Sequence, residues 1–175
     1  ILNFTIFETV DGKTIKKIAR YQQFRAVHKT IERLKTGNTT KEKSGVIWHT
    51  QGSGKSLTMV FLTIKMRRDP ELRDYKLVFL TDRTQLDTQL TSTFSKAQGE
   101  TVHHADSVKT LKELLSSDAS DIITAMVQKF QESADDFEFP VLNESEKIIV
   151  LAVEAHRTQY GALGAAINSA LPNAP

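Results

Sequence analysis

The chain has 175 residues, 39% of them hydrophobic, a net charge of +2 and no cysteine. The lack of cysteine excludes a disulfide framework and a thiolate metal site, and suits a reducing cytoplasm. No apolar run approaches the roughly 20 residues that span a bilayer, and no signal-peptide pattern is present, so a cytoplasmic, membrane-free domain is expected, with ample material for one core.

The charge is unevenly spread. Residues 13–43 hold ten Lys or Arg against two acids, Glu32 and Glu42, whereas residues 132–146 hold six acids and no Lys or Arg. A basic N-terminal third is able to meet a polyanion, although such clusters are more often the solvated face of a helix. The acidic stretch, with Pro140, reads as a solvated loop.

In chain order, Ile18–Leu34 reads as a helix with apolar positions at Tyr21, Phe24, Val27, Ile31 and Leu34. Val46-Ile47-Trp48 reads as a short strand. It leads into His49-Thr50-Gln51-Gly52-Ser53-Gly54-Lys55-Ser56, and Leu57–Arg67 has helical spacing. Strand, glycine-rich turn and helix in this order aim backbone N–H groups into one concavity, suited to the β- and γ-phosphates of a nucleotide. Gly52 and Gly54 keep side chains out of the tight backbone path. Lys55 supplies a positive charge, and the Ser56 hydroxyl is placed to ligate Mg²⁺. His49 stands where the generic pattern G-x-x-x-x-G-K-[ST] begins with glycine, so only the heart of that pattern is intact.

Further along, Lys76–Leu80 reads as a strand, Gln85–Ala97 as a helix, and Val108–Leu115 as a helix with Leu111, Leu114 and Leu115 on one face. Ile122–Thr124 is a third strand candidate. Ile148–Val153 is six consecutive apolar residues, the pattern of a strand buried on both faces. A last, alanine-rich helix spans roughly 161–170 and stops at Pro172. Alternating strands and helices predict an α/β fold with a mainly parallel sheet. The expected organisation is an N-terminal linker and helix over residues 1–44, then one α/β domain over residues 45–175.

The strand Ile148–Val153 delivers Glu154-Ala155-His156-Arg157 at its C-terminal end, the edge where parallel sheets bind ligands. A phosphate-binding turn needs an acid there to polarise the attacking water, and Glu154 sits where that glutamate belongs. The aspartate expected just before it, which holds the metal, is Val153. His103-His104 has no partner spacing for a metal and reads as surface.

Four segments, H-T-Q-G-S-G-K-S (49–56), V-F-L-T-D-R-T-Q-L (78–86), V-E-A-H-R-T-Q-Y-G (153–161) and A-L-P-N-A (170–174), resemble the motor subunit of type I restriction enzymes, a superfamily-two DNA translocase with RecA-like lobes. The resemblance runs from about Lys16 to the end of the chain. It implies a three-layer RecA-like P-loop NTPase lobe that uses ATP and Mg²⁺. Thr50, Gln51, Gly52, Ser53, Gly54, Lys55 and Ser56 would hold the phosphates, with Ser56 on the metal. Arg20-Tyr21-Gln22-Gln23-Phe24 resembles the family's Q motif, in which a glutamine reads the adenine edge; here that would be Gln23. Glu154 and His156 match the last letters of the D-E-A-H box, whose histidine couples nucleotide state to the rest of the motor. Gln159 and Tyr160 continue it.

The same resemblance implies a DNA track. Thr81-Asp82-Arg83, with Gln85 and Leu86, is similar to motif Ia, and Asp82 and Arg83 would face DNA. The segment from Thr124 to Phe130 is similar to a further DNA-facing motif, with Thr124, Gln128 and Lys129 against backbone phosphate; Phe130 by itself reads as core. Implied partners are double-stranded DNA and the modification and specificity subunits of the restriction complex.

The chain departs from the family pattern in Val153, and it lacks an upstream nuclease domain and a second lobe. That lobe supplies an arginine finger, a device worth ~10³–10⁵ in rate. The sequence therefore predicts a first lobe that binds ATP–Mg²⁺ and hydrolyses little alone. Two other readings fit some of the residues: another superfamily-two motor, such as a type III restriction translocase or a remodeller, or a nucleotide-binding module impaired by Val153.

Overall fold

The computed structural model describes residues 2–10, 12–50, 52–81, 94, 102–126, 140–153 and 160–175. Their contacts divide into two compact units. One holds the described residues up to Arg73 together with Phe94, and the other those from Asp74 onward.

The first unit opens with a 3₁₀ turn, Leu2–Phe4, and a hairpin of β1 (Thr5–Val10) and β2 (Lys13–Ile18). The strands pair antiparallel from Thr5 opposite Ile18 to Val10 opposite Lys13. A sequence signal for this hairpin exists: Asp11-Gly12 stands between two six-residue runs that carry the strand-favouring Thr, Ile, Phe and Val. Gly12 sits at φ 73°, the left-handed region such a turn requires. Because Ile18 is spent in β2, the helix expected from that residue begins later, as α1 (Tyr21–Thr36).

Helix α1 buries Gln23, Val27, Ile31 and Leu34, one stripe at helical spacing, and packs on α3 (Lys55–Arg67). A single turn, α2 (Thr40–Lys43), lies between them, capped by the Thr39 hydroxyl on the Glu42 N–H. Phe4 stands against Phe24, His28 and Phe61, with ring centroids 4.7, 5.4 and 6.0 Å away. Phe61, Val60 and Met66 of α3 are wholly buried, each worth roughly 1.5–3 kcal/mol in apolar burial.

Val46–Trp48 differs from the expected strand. Residues 44–50 have no regular structure, and Val46 and Trp48 are 88% and 86% exposed. An extended segment is stable only when a neighbouring strand satisfies its backbone, and among the described residues these three have no strand partner.

The second unit is a four-stranded sheet, all parallel, in the order β4-β5-β3-β6. Its elements are β3 (Lys76–Thr81), β4 (Val102–Ala105), α4 (Val108–Ser116), β5 (Ile122–Met126), β6 (Ile148–Ala152) and α5 (Tyr160–Ala170). This is the α/β class with a parallel sheet that the sequence predicts for a RecA-like lobe. β3 is central and buried along its whole length. Leu111 and Leu115 of α4, Ala166 and Ala170 of α5, and Val78, Leu80, Ile123 and Ile148 of the sheet form one core.

β6 departs from the doubly buried strand that its six apolar residues suggest. Val150 and Leu151 are half-buried and Ala152 is exposed, because β6 is an outer strand of the described sheet. Its pairing with β3 still extends one residue further, where the Val153 N–H meets the Leu80 carbonyl. Of the expected helix Gln85–Ala97, only Phe94 is among the described residues, and it is buried.

One charged side chain is built into this core. Lys76 is 3% exposed, and its ammonium donates to the Leu114 and Ser117 carbonyls at 2.5 Å each. Burial lowers its pKa, opposed by Asp121 and Asp118. Lys76 thus closes the C-terminus of α4, whose last carbonyls have no intrahelical donors.

Candidate nucleotide site

The glycine-rich turn is built by a tight bend at Thr50 and two glycines in the left-handed region. The Thr50 carbonyl accepts from the Ser53 N–H at 3.2 Å and from the Ser53 hydroxyl at 2.6 Å. Gly52 lies at φ 75° and Gly54 at φ 84°, a conformation that costs an L-residue roughly 1–2 kcal/mol. Gly54 is the N-cap of α3, so Lys55 and Ser56 are its first two helical residues. Their position at the positive end of a 13-residue helix is what phosphate binding asks of them. Among the described residues, a Cβ at Gly52 would meet nothing within 4 Å.

Gln23 closes the inner side. It is 3% exposed; its Oε1 accepts from the Arg20 N–H at 2.8 Å and its Nε2 donates to the Gly54 carbonyl at 3.0 Å. Both ends of the amide therefore have protein partners. Nothing in the sequence pattern points to this bond across 31 residues. It arises from the packing of α1 on α3.

The remaining expected residues fall in different places. Thr124 lies inside β5, wholly buried, with its hydroxyl 3.3 Å from His104 Nδ1. His103 reaches Asp121 at 3.6 Å. Val153 is 8% exposed, and its apolar side chain suits that burial. Gln51, Asp82, Arg83, Gln85, Leu86, Gln128, Lys129, Phe130, Glu154, His156 and Gln159 lie outside the described residues, as does the side chain of Tyr160. Among the described residues no cluster of three or more His, Asp or Glu is placed to hold a metal, and no helix is long and apolar enough to cross a membrane.

The chain is similar to the endonuclease subunit of the type I restriction enzyme HindI from Haemophilus influenzae, 39% identical over 90% of this chain and 16% of the relative. It is 42% identical to a Methanocaldococcus jannaschii subunit named for the type I restriction enzyme MjaIXP, over 91% of this chain and 16% of that one. The chain therefore spans about a sixth of the length of these curated relatives. A family model described as SWI2/SNF2 ATPase matches residues 22–175, a span that holds Gln23, the glycine turn and the whole parallel sheet. By that match the chain belongs to the SWI2/SNF2 ATPase family.

Proposed function

We propose that this chain is the first ATP-binding lobe of the DNA-translocating motor in a type I restriction endonuclease subunit. The observation that carries the reading is the turn at residues 50–56: two left-handed glycines and a helix that begins with Lys55 and Ser56. The names of the relatives supply the restriction context, and the family supplies the use of ATP.

In this reading Thr50, Gln51, Gly52, Ser53 and Gly54 present backbone N–H groups to the triphosphate, and Lys55 neutralises its outer charge. Ser56 would hold Mg²⁺, which spreads the charge that develops on the phosphoryl oxygens. Glu154 orients the attacking water, and His156 passes the nucleotide state to the rest of the motor. Asp82, Arg83, Gln128 and Lys129 lie along the DNA track and grip backbone without reading sequence. Double-stranded DNA and the modification and specificity subunits are the partners, in the cytoplasm. Turnover needs an arginine from a second lobe.

A second reading, nucleotide binding without turnover, is favoured by Val153. An apolar side chain at that position offers no oxygen to a metal's water shell.

Titrating a fluorescent ATP analogue with Mg²⁺ against the chain and against Lys55→Ala tests the proposal. The wild-type protein is expected to bind, and the variant to lose most of the signal. Equal signals from the two would end it.

A further inference from the structure

We infer that Thr81 is a positioning residue for the side chain at position 153, its hydroxyl set to donate to a carboxylate there. This rests on the ATP-binding reading, in which that position would carry the acid that holds the metal.

Val153 follows β6, and its N–H meets the Leu80 carbonyl at 2.8 Å. Leu80 and Ala152 are paired across β3 and β6, so Thr81 and Val153 stand side by side one step on. On its other side Thr81 is paired with Met126 of β5. The core shared with α4 and α5 takes Val78, Leu80, Ile148 and Val150 from these strands. Side chains alternate along a strand, so Thr81 and Val153 both belong to the opposite face.

Thr81 is wholly buried, and its Oγ1 has no hydrogen-bond partner among the described residues. Thr5 and Thr63 share that state, but only Thr81 ends a strand of the parallel sheet, at the edge where such sheets bind ligands. Its neighbours in register are a thioether and an isopropyl group, and neither offers a normal acceptor. A buried hydroxyl without a partner is destabilising, whereas an apolar group of the same shape is not. Threonine is thus poorly matched to valine and well matched to an acid. Neighbouring strands are about 4.8 Å apart, so a carboxylate on one methylene at position 153 comes within reach of Oγ1. A donor on one carboxylate oxygen fixes its rotamer and leaves the second oxygen for the site. The fold keeps a carboxylate's partner where the chain has no carboxylate.

The test uses the ligand-free full chain as wild type, Thr81→Val, Val153→Asp and the double variant, in thermal melts and carboxyl NMR titrations. In the wild type, Thr81→Val should raise the melting temperature by about 1–5 °C, because only an unsatisfied hydroxyl is lost. In Val153→Asp the same change should lower it by about as much, because the hydroxyl then has an acceptor. The introduced carboxyl should titrate about one to two pH units lower beside threonine than beside valine, since the bond favours its charged form. Thr81→Ser keeps the hydroxyl and should keep the lower value. A destabilised Thr81→Val in the wild type, an equal shift in both backgrounds, or a carboxyl indifferent to position 81 overturns the inference. If Val153→Asp fails to fold, Val153→Asn, whose Oδ1 accepts the same bond, replaces it in the melts, and the wild-type melt needs no change at 153. Failure of the wild-type chain to bind the ATP analogue would sink the ATP-binding reading instead, and leave these melts and titrations as they are.

Discussion

The Val153 N–H donates to the Leu80 carbonyl at 2.8 Å, so the residue in the expected aspartate position is tied to β3 through its main chain. Val153→Asp should therefore leave the pairing of β6 with β3 intact. It would bury a carboxyl in a site that is 8% exposed, at a cost of about 1–3 kcal/mol. The melting temperature of the ligand-free variant should fall by several degrees. ATP with Mg²⁺ should restore more of it in the variant than in the wild type. In the full-length protein, a rise in DNA-stimulated ATPase identifies a dormant motor, and no rise favours nucleotide binding without turnover.

The two turn glycines should respond differently to alanine. Gly52→Ala meets open space and carries only the left-handed backbone cost, roughly 1–2 kcal/mol. Gly54→Ala carries that cost and also pushes Gln23 Nε2 from 2.7 Å. Thermal melts should rank Gly54→Ala as the more damaging, and equal losses would contradict the close packing of α1 on the turn.

Lys76→Met keeps the length and apolar stem of the side chain but removes the ammonium donor to the Leu114 and Ser117 carbonyls at the end of α4. A destabilisation of about 1–3 kcal/mol is expected, since the carbonyls stay buried. Asn143 Nδ2 donates to the Leu115 and Ser117 carbonyls at 3.1 and 3.3 Å. Asn143→Ala alone should therefore cost less than Lys76→Met. The double variant should lose more than the sum of the two in urea melts, because the last shared donor goes with it.

His28 makes the first unit sensitive to mild acid. Its pKa is lowered, first by partial desolvation beside Phe4 and Phe24, although the ring stays exposed on one side, and then by the charge of Lys65, whose ammonium donates to Nδ1 at 3.4 Å. A base with a lowered folded value stays neutral in the fold where the unfolded chain takes up a proton. Stability is therefore full above the ordinary histidine value of 6.5 and falls as pH drops through it toward the folded value. Melting temperatures measured from pH 7.5 to 5 should show this fall in the wild type and less of it in His28→Gln.

Much of the fold was legible because its signals are local. Leu111 and Leu115 share a helix face by spacing alone, and Ile148 to Val153 could hardly be other than a strand. The glycine turn was legible for the same reason: two positive-φ positions and a helix start are local demands on the chain, and Gly52, Gly54, Lys55 and Ser56 meet them. The hairpin of β1 and β2 has only Asp11-Gly12 as its local signal, and the apolar spacing of α1 runs on into Ile18, which the structure places in β2. Val46–Trp48 reads as a strand by composition, but a strand needs a partner, and three apolar residues do not name one.

Residue types and their spacing determined the parallel α/β class, the glycine turn with its helix start, and the presence of valine at position 153. Only the tertiary structure decided what Gln23, Lys76 and Thr124 do. Each is a polar side chain whose role depends on a group far away in sequence: the Gly54 carbonyl, the end of α4, and His104 on the neighbouring strand. Hydrogen bonding acts over about 3 Å in space, whereas sequence patterns report neighbours within a few residues, so no periodicity could have revealed these partners.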